Sequence, residues 1–246
     1  MQISSRVYLI ASGHAGCSLT HPNDCNAYAV RCGSRYFLID AGVGVRTELL
    51  RDGLKQDGIC VEAIEALLLT HGHLDHSGGA YSLHQSSGMP VFASVETARA
   101  LETGDEEAIS LALAKRSGVY ESSFQFLACP VSRKLNGGEN WTAGDCQITA
   151  LRTPGHARDM LTYIVDSPEG VLAFPGDTVF HDGKVLLSGT WDCDPAACDT
   201  SLRALAALNI DGLYPGHGIW TVHEGKRHLR TSMGFLDRLL LPPNLF

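Results

Sequence analysis

The chain has 246 residues, 44% of them hydrophobic, and its formal net charge at pH 7 is −8. This length and hydrophobic content suffice for a large buried core. The negative charge repels phosphate backbones, so it disfavours non-specific binding of nucleic acid. No run approaches the ~20 apolar residues of a membrane-spanning helix, and the N-terminal residues do not resemble a signal peptide. We therefore expect a cytoplasmic protein with neither nucleic-acid nor membrane partners, whose oligomeric state the sequence leaves open.

Apolar runs and turn residues predict alternating strands and helices along the chain. The predicted elements are, in chain order, strands within 3–40 with a turn at 23–26, a helix over 45–56, a strand over 64–70, a helix opening at 77–80, two helical pieces within 94–118, strands over 146–151, 171–174 and 210–214, and a helix over 224–241. Ser94 and Asp105 are the expected N-caps of the two helical pieces, because their side chains accept hydrogen bonds from the first N–H groups of a helix.

The cysteines indicate free thiols rather than disulfides. No C-x-x-C pair occurs, and an even number of cysteines is weak evidence for disulfides in a chain of this length. Cys193 and Cys198 are close enough to suggest a metal site, but Asp194 and Pro195 between them predict the N-cap and first residue of a helix. The eight positions are Cys17, Cys25, Cys32, Cys60, Cys129, Cys146, Cys193 and Cys198.

The segment His71-Gly72-His73-Leu74-Asp75-His76 places four metal-binding side chains within six residues. Neutral imidazoles and carboxylates are the ligands that a divalent transition metal prefers. His71 and His73 are two apart on an extended segment, so their side chains point to the same side and can bind one ion. Asp75 and His76 follow after a turn and face a neighbouring ion. The motif therefore predicts ligands for two metal ions.

Three further ligands follow predicted strands, each beside glycine. The strand over 146–151 leads to Thr-Pro-Gly-His156, the strand over 171–174 to Pro-Gly-Asp177, and the strand over 210–214 to Pro-Gly-His217. Glycine lets the backbone turn sharply beside a crowded ion pair. We expect the four strand ends to converge on one cleft, so residues 1–246 are predicted to form a single domain.

This set of motifs resembles the metallo-β-lactamase superfamily, whose pattern is HxHxDH followed by a distant His, Asp and His. The resemblance implies an α/β fold of four αβ/βα layers, with two facing mixed sheets inside and helices outside. It also implies that His71, His73 and His156 bind the first metal, that Asp75, His76 and His217 bind the second, and that Asp177 bridges them. Asp40, after an apolar run, would orient one of the ligands or simply cap a turn.

The sequences around His156 and His217 resemble the hydroxyacylglutathione hydrolase branch and its lactamase-beta-like relatives, which hydrolyse thioesters and other esters. True class B β-lactamases usually lack the bridging aspartate that Asp177 supplies, and flavodi-iron proteins generally carry Glu where this chain has His73. The usual threonine after the Thr-Pro-Gly-His motif is replaced by Ala157, so substrate contacts of that loop are not carried over.

The resemblance predicts a metal-dependent hydrolase of a small-molecule thioester, ester or lactone. A metal-bound hydroxide would attack the carbonyl carbon, because a divalent ion lowers the pKa of bound water to near 7. Asp177 and Asp75 are the predicted catalytic residues, with Asp75 passing on the proton. The expected cofactors are two divalent ions, zinc by default because histidine-rich sites suit it, with iron or manganese as alternatives.

Three other functions stay open. A phosphodiesterase or ribonuclease of the same fold has the same ligands, and the acidic charge argues against it. A persulfide dioxygenase with a single iron shares several ligands, and the intact second set argues against that function. A binding protein that had lost the chemistry would usually have lost ligands as well.

The gap between His76 and His156 is predicted to carry specificity, because loops beside a rigid site hold many substrate contacts. Residues 101–138 are the candidate lid or pocket wall, and His14 and His181 are further candidates for contact with substrate. Further pocket candidates are Asp182, Trp191, Asp192 and Trp220. A basic patch on the last helix, a candidate anion site or a solvated face, comprises Lys226, Arg227, His228 and Arg230.

Overall fold

Two mixed β-sheets organise the chain, one in each of its two units, Met1–Leu135 and Asn136–Phe246. The computed structural model describes every residue from Met1 to Phe246. Helices accompany both sheets, which confirms the predicted α/β class with two mixed sheets. The organisation as one domain stays a prediction.

The first unit contains a six-stranded sheet in the sequential order β1 to β6. Its strands are β1 Val7–Ala11, β2 Ala27–Cys32, β3 Arg35–Ile39, β4 Ile64–Leu68, β5 Val91–Ser94 and β6 Arg133–Leu135. The strands from β1 to β3 pair antiparallel, and those from β3 to β6 pair parallel. Parallel strands end at one edge of a sheet, so the residues that follow β3 and β4 meet there.

The helices of the first unit are α1 Thr47–Gln56, α2 Leu74–Ser77, α3 Ala80–Ser87, α4 Val95–Thr103 and α5 Leu111–Arg116. Ser94 caps α4 as predicted, because its side chain accepts a hydrogen bond from the Thr97 N–H. The prediction for Asp105 was wrong. Its Oδ1 accepts from the N–H groups of Glu107 and Ala108 within a turn. The helix α5 begins only at Leu111, and Ser110 is the residue at its N-cap position.

The second unit contains a five-stranded sheet in the order β11-β10-β9-β8-β7. Its strands are β7 Asn140–Ala143, β8 Cys146–Arg152, β9 Leu161–Ser167, β10 Gly170–Phe174 and β11 Gly212–Leu213. β9 is antiparallel to both β8 and β10, and β10 is parallel to β11. Hence β8, β10 and β11 run in one direction, and their carboxyl ends share an edge of the sheet.

Two helices, α6 Pro195–Ala206 and α7 Lys226–Leu236, and a 3-10 helix at His181–Gly183 complete the second unit. Asp194 caps α6 and Pro195 occupies its first turn, as predicted. α7 is shorter than the predicted helix because its apolar face ends at buried Leu236 and exposed residues follow. All eight cysteines are free thiols. No helix combines the length and hydropathy needed to cross a membrane.

Candidate metal centre

The HxHxDH motif runs from the turn after β4 into α2 of the first unit. His73 precedes α2 in an extended conformation, and Asp75 and His76 lie on the helix itself. The His71 ring centroid is 4.1 Å from that of His76 and 4.7 Å from that of His73. The Ser77 hydroxyl donates to the Gly72 carbonyl oxygen at 2.7 Å and holds the turn closed. The structure thus brings the motif's three imidazoles together.

Asp40 holds this cluster through three hydrogen bonds. It follows β3 in the left-handed region, with a φ of 61°, and it is buried. Its Oδ1 accepts from the Thr70 backbone N–H, and its Oδ2 accepts from the Thr70 hydroxyl and from Nδ1 of His76, each at 2.8 Å. The hydrogen bond to His76 supports the predicted role of Asp40 in orienting a ligand. A carboxylate on Nδ1 fixes the tautomer that leaves Nε2 as the ligand atom.

Thr70 extends the same arrangement to His71. The threonine hydroxyl donates its proton to Asp40, so it accepts at 3.0 Å from Nδ1–H of His71. Both His71 and His76 therefore use Nδ1 within the protein and offer Nε2 as a metal ligand. One buried carboxylate thus sets the orientation of two predicted ligands.

Asp75 and Cys25 lie beside His76. The Asp75 Oδ2 is 3.6 Å from Nε2 of His76, and the Asp75 backbone oxygen accepts from the Cys25 N–H at 3.3 Å. Cys25, Asp40 and His76 are close enough for a metal site of their own. However, Nδ1 of His76 is already bonded to Asp40, and burial raises the pKa of the Cys25 thiol to about 12. A protonated thiol is a weak ligand, so Asp75 is the better partner of His76.

In the second unit, His156, Asp177 and His217 follow β8, β10 and β11. All three are buried. The Asp177 Oδ2 lies 3.6 Å from Nε2 of His156 and 3.3 Å from Nε2 of His217. Gly155 before the first of them has a φ of 156°, and a Cβ there would stand 2.8 Å from the Cys198 Cα. Only glycine fits this approach of the loop to α6, which explains one Gly-His pair of the sequence.

A backbone carbonyl orients His156, and sequence reasoning did not identify it. Nδ1 of His156 donates to the Leu186 carbonyl oxygen at 2.7 Å, so its Nε2 faces Asp177. The C-terminal residues hold the segment around Leu186. The side-chain Oδ1 of Asn244 accepts from the Leu187 N–H, and its Nδ2 donates to the Leu187 carbonyl, both at 3.0 Å. Two backbone bonds, Val185 N–H to Pro243 O at 3.0 Å and Leu245 N–H to Val185 O at 2.8 Å, complete the contact.

We expect the Asn244→Ala variant to bind metal about tenfold more weakly, because partners behind a ligand histidine contribute 10- to 100-fold in affinity. The substitution removes both side-chain hydrogen bonds that hold the segment carrying the Leu186 carbonyl. Zinc titration against a chromophoric chelator measures the effect. Asn209→Ala is the control, because it removes one exposed hydrogen bond, to Lys226, before β11 begins. Equal affinity in Asn244→Ala and wild type would contradict this role.

Another group, His181, Asp182 and His228, lies near enough to suggest a metal site in the second unit. Nδ1 of His228 accepts from the Asp182 N–H at 2.9 Å, so its Nε2–H donates to the Thr221 hydroxyl at 2.7 Å. Both ring nitrogens are thus used. Burial also lowers the pKa of His228 to about 4. His228 is a buried neutral histidine, which removes it from the predicted basic patch, while Arg227 and Arg230 are exposed.

The remaining pocket candidates differ in their exposure to solvent and in the side chains near them within their own units. His14 is exposed, and its Nδ1 lies 3.3 Å from the Ser18 hydroxyl. Trp191 is exposed, with the Arg158 guanidinium 5.2 Å from its ring centroid, whereas Asp192 is buried. Their contact with substrate stays a prediction.

The donor chemistry of both units fits divalent metal ions. His71, His76 and His156 each use Nδ1 in a hydrogen bond within the protein. Nε2 of His76 then lies near Asp75 and Nε2 of His156 near Asp177, while the His71 ring lies beside that of His76. Imidazole and carboxylate sets of this kind, placed after the strands of mixed sheets, define an α/β metal-dependent enzyme.

The chain belongs to the metallo-beta-lactamase superfamily, whose family profile matches residues 21–217. Acyl-coenzyme A thioesterase MBLAC2 of Gallus gallus is 30% identical over 88% of this chain and 79% of its own length. Atrochrysone carboxyl ACP thioesterase of Aspergillus fumigatus is 27% identical over 88% of this chain, which spans only 57% of that protein. These similarities identify the chain as a metal-dependent hydrolase.

Among solved structures, TTHA1623 in a di-iron-bound form is similar to this chain, with 29% sequence identity and a TM-score of 0.66. The match covers 82% of this chain and 92% of that one. The resemblance to the superfamily inferred from the motifs is thereby confirmed.

Proposed function

We propose that this enzyme hydrolyses a small-molecule thioester, ester or lactone at a centre of two divalent metal ions. The position of Asp177 carries the proposal. Its Oδ2 lies within 3.6 Å of Nε2 of both His156 and His217, which suits a carboxylate that bridges two ions. The names of two relatives, both thioesterases, support a thioester as the preferred substrate.

Seven residues supply the ligands in this proposal, following the family pattern. The first ion is held by His71, His73 and His156, the second by Asp75, His76 and His217, and both by Asp177. The Nδ1 bonds of His71, His76 and His156 support these assignments, because they leave Nε2 for the metal. Zinc suits such ligands, and iron or manganese would also be accepted. The di-iron form of TTHA1623 supports a pair of ions.

When bound, two divalent ions supply Lewis acidity, which polarises a carbonyl and lowers the pKa of bound water from 15.7 to about 7. The residues of the chain supply position and proton transfer. Asp177 places its Oδ2 beside Nε2 of both His156 and His217. Asp40 and Thr70 orient His71 and His76 through hydrogen bonds at their Nδ1 atoms. Asp75 accepts a proton from the attacking water at a carboxylate oxygen and returns it to the leaving thiolate or alkoxide.

A substrate panel tests the proposal. Zinc-loaded protein is assayed on acyl-coenzyme A thioesters of increasing chain length, on simple esters and lactones, and on a generic phosphodiester. An Asp177→Asn preparation serves as the blank, because contaminating hydrolases survive that substitution. We expect the wild-type protein to hydrolyse the thioesters faster than any other substrate of the panel. The Asp177→Asn preparation should show no thioester hydrolysis.

The other outcomes of the panel identify the alternatives. Phosphodiester cleavage without acyl hydrolysis would replace the proposal with a phosphodiesterase. If no substrate is hydrolysed, and the protein contains one iron per chain and takes up oxygen in the presence of a thiol, the proposal would be replaced with a persulfide dioxygenase. The cytoplasmic location and the lack of a nucleic-acid partner stay predictions from the sequence.

A further inference from the structure

A buried histidine outside the proposed ligand set joins two segments of the second unit. His228 lies on α7 and is fully buried. Its Nδ1 accepts from the Asp182 backbone N–H at 2.9 Å, and its Nε2 lies 2.7 Å from the Thr221 hydroxyl oxygen. A backbone N–H can only donate, so Nδ1 carries a lone pair and the ring proton is on Nε2. The ring therefore accepts from Asp182 and donates to Thr221 at the same time.

Thr221 closes the loop that carries His217. This loop, residues 214–220, leaves β11 after Leu213 and returns at Thr221, and His217 lies four residues from each of these two ends. Leu213 and Thr221 exchange backbone hydrogen bonds in both directions, each 2.8 Å long. The Thr221 hydroxyl adds the bond to His228 at the same position. The returning end of the His217 loop is thus joined to α7 by a side chain.

The sheet holds the other end of the His217 loop. The Tyr214 N–H donates to the Ala173 carbonyl oxygen on β10 at 2.9 Å. The Gly216 N–H donates at 2.8 Å to the carbonyl oxygen of Gly176, the residue directly before Asp177. The outgoing end is therefore tied by its backbone to the segment that carries another proposed ligand.

The turn at 181–183 gives His228 a fixed support. Gly183 has a φ of 70°, and a Cβ there would stand 2.5 Å from the His228 carbonyl oxygen, so only glycine permits this approach to α7. The Ser232 hydroxyl, one turn further along α7, donates to the Gly183 carbonyl oxygen at 2.8 Å. The turn is thus held against α7, and the hydrogen bond from Asp182 fixes the orientation of the His228 ring.

We propose that His228 is a positioning residue for His217, because it fixes the returning end of the His217 loop through the hydroxyl of Thr221. The inference rests on the proposed function, in which His217 binds the second metal ion. A loop that is ordered before the ion binds spends less of the binding free energy on its own ordering. The buried ring of His228 supplies part of that order.

The test is the Thr221→Val variant, which keeps the branched shape of the side chain and replaces only the hydroxyl with a methyl group. Wild type and variant are stripped of metal and titrated with zinc against a chromophoric chelator, below the temperature at which either begins to unfold. We expect the affinity for the second ion to fall about fivefold, less than the 10- to 100-fold effect of a direct partner of a ligand, while the first ion is retained. Thr221→Ser keeps the hydroxyl and should restore wild-type affinity.

Thr231→Val is the matched control. Thr231 lies on the same helix as His228, but it is exposed and its hydroxyl donates to the Arg227 carbonyl oxygen at 3.2 Å. We expect it to leave both zinc affinities unchanged. Thermal unfolding of the metal-stripped proteins is measured in parallel. A residue that only stabilises the fold would lower the Tm of Thr221→Val and leave both affinities at wild-type values. That result, or equal weakening of both ions, would overturn the positioning role.

A double-mutant cycle tests whether His228 and Thr221 act through one hydrogen bond. The His228→Asn side chain places an amide oxygen near the position of Nδ1, where it can accept from Asp182, but it is too short to reach Thr221. It should weaken the second ion about as much as Thr221→Val does, and the double variant should be no weaker than either single variant. Additive losses would show that the two residues act independently and would overturn the inference.

The failures of the two proposals are distinguishable. A wild-type chain that takes up two zinc ions and hydrolyses thioester, with a Thr221→Val variant that matches it in both affinities, overturns only the role of His228. A wild-type chain that takes up fewer than two ions overturns the proposed dinuclear centre and this inference with it. Selective weakening of the second ion in Thr221→Val, with recovery in Thr221→Ser, supports both.

Discussion

The Asp177→Asn variant should lose hydrolysis almost entirely, with kcat/KM reduced by about 1,000-fold or more, because a metal centre contributes several kcal/mol to the transition state. The amide keeps the size of the side chain but replaces one carboxylate oxygen with a nitrogen that cannot bind a cation. Asp177 is buried, and its Oδ2 approaches both His156 and His217. Removing its charge should therefore weaken the retention of both ions.

Metal analysis after dialysis, combined with thioester turnover, measures this effect. Asp166→Asn is the matched control, because Asp166 lies on β9 of the same unit but is exposed. It should keep wild-type metal content and rate. Normal activity with two ions in Asp177→Asn would remove the bridging role and, with it, the main support for the proposed centre.

The Asp40→Ala variant should lose about 3 kcal/mol of stability, because it leaves buried donors without acceptors. The Thr70 N–H, the Thr70 hydroxyl and the His76 Nδ1–H all lose their partner. The backbone adds to the cost, since a φ of 61° suits aspartate or asparagine better than alanine. Metal affinity should fall as well, because Thr70 passes the orientation on to His71.

Chemical denaturation of the metal-stripped protein measures the change in the free energy of unfolding without any contribution from bound metal. Zinc titration measures the change in metal affinity. Asp40→Asn is the informative companion, because it tolerates the backbone conformation and keeps one acceptor oxygen. It should recover much of the stability but little of the metal affinity. An Asp40→Ala protein with wild-type stability would show that the three hydrogen bonds contribute nothing net.

The proposed ligands could be selected from the sequence because each is marked by a local pattern. The HxHxDH cluster and the Gly-His and Gly-Asp pairs are read from neighbouring residues, and the apolar runs before them identify the strands. Gly155 illustrates the physical cause, since the approach of its backbone to Cys198 excludes any side chain. Asp40 was harder, because a lone aspartate after a strand is equally consistent with a turn.

The hydrogen-bond partners that orient the proposed ligands were not predictable from local patterns. The Leu186 carbonyl acts through its backbone, so its side chain carries no signal, and Asn244 reaches Leu187 across 57 positions of the chain. Helix boundaries failed for a related reason, because the hydrogen bonds of Asp105 are typical of a turn as well as of a cap.

The most direct test of the dinuclear hydrolase is a titration of activity against metal. Metal-stripped protein receives zinc in steps, and acyl-coenzyme A thioester hydrolysis is recorded at each step with the bound metal measured in parallel. Our account predicts negligible activity without metal and a rise that ends at two equivalents per chain. Full activity at one equivalent, or activity unaffected by stripping, would contradict it.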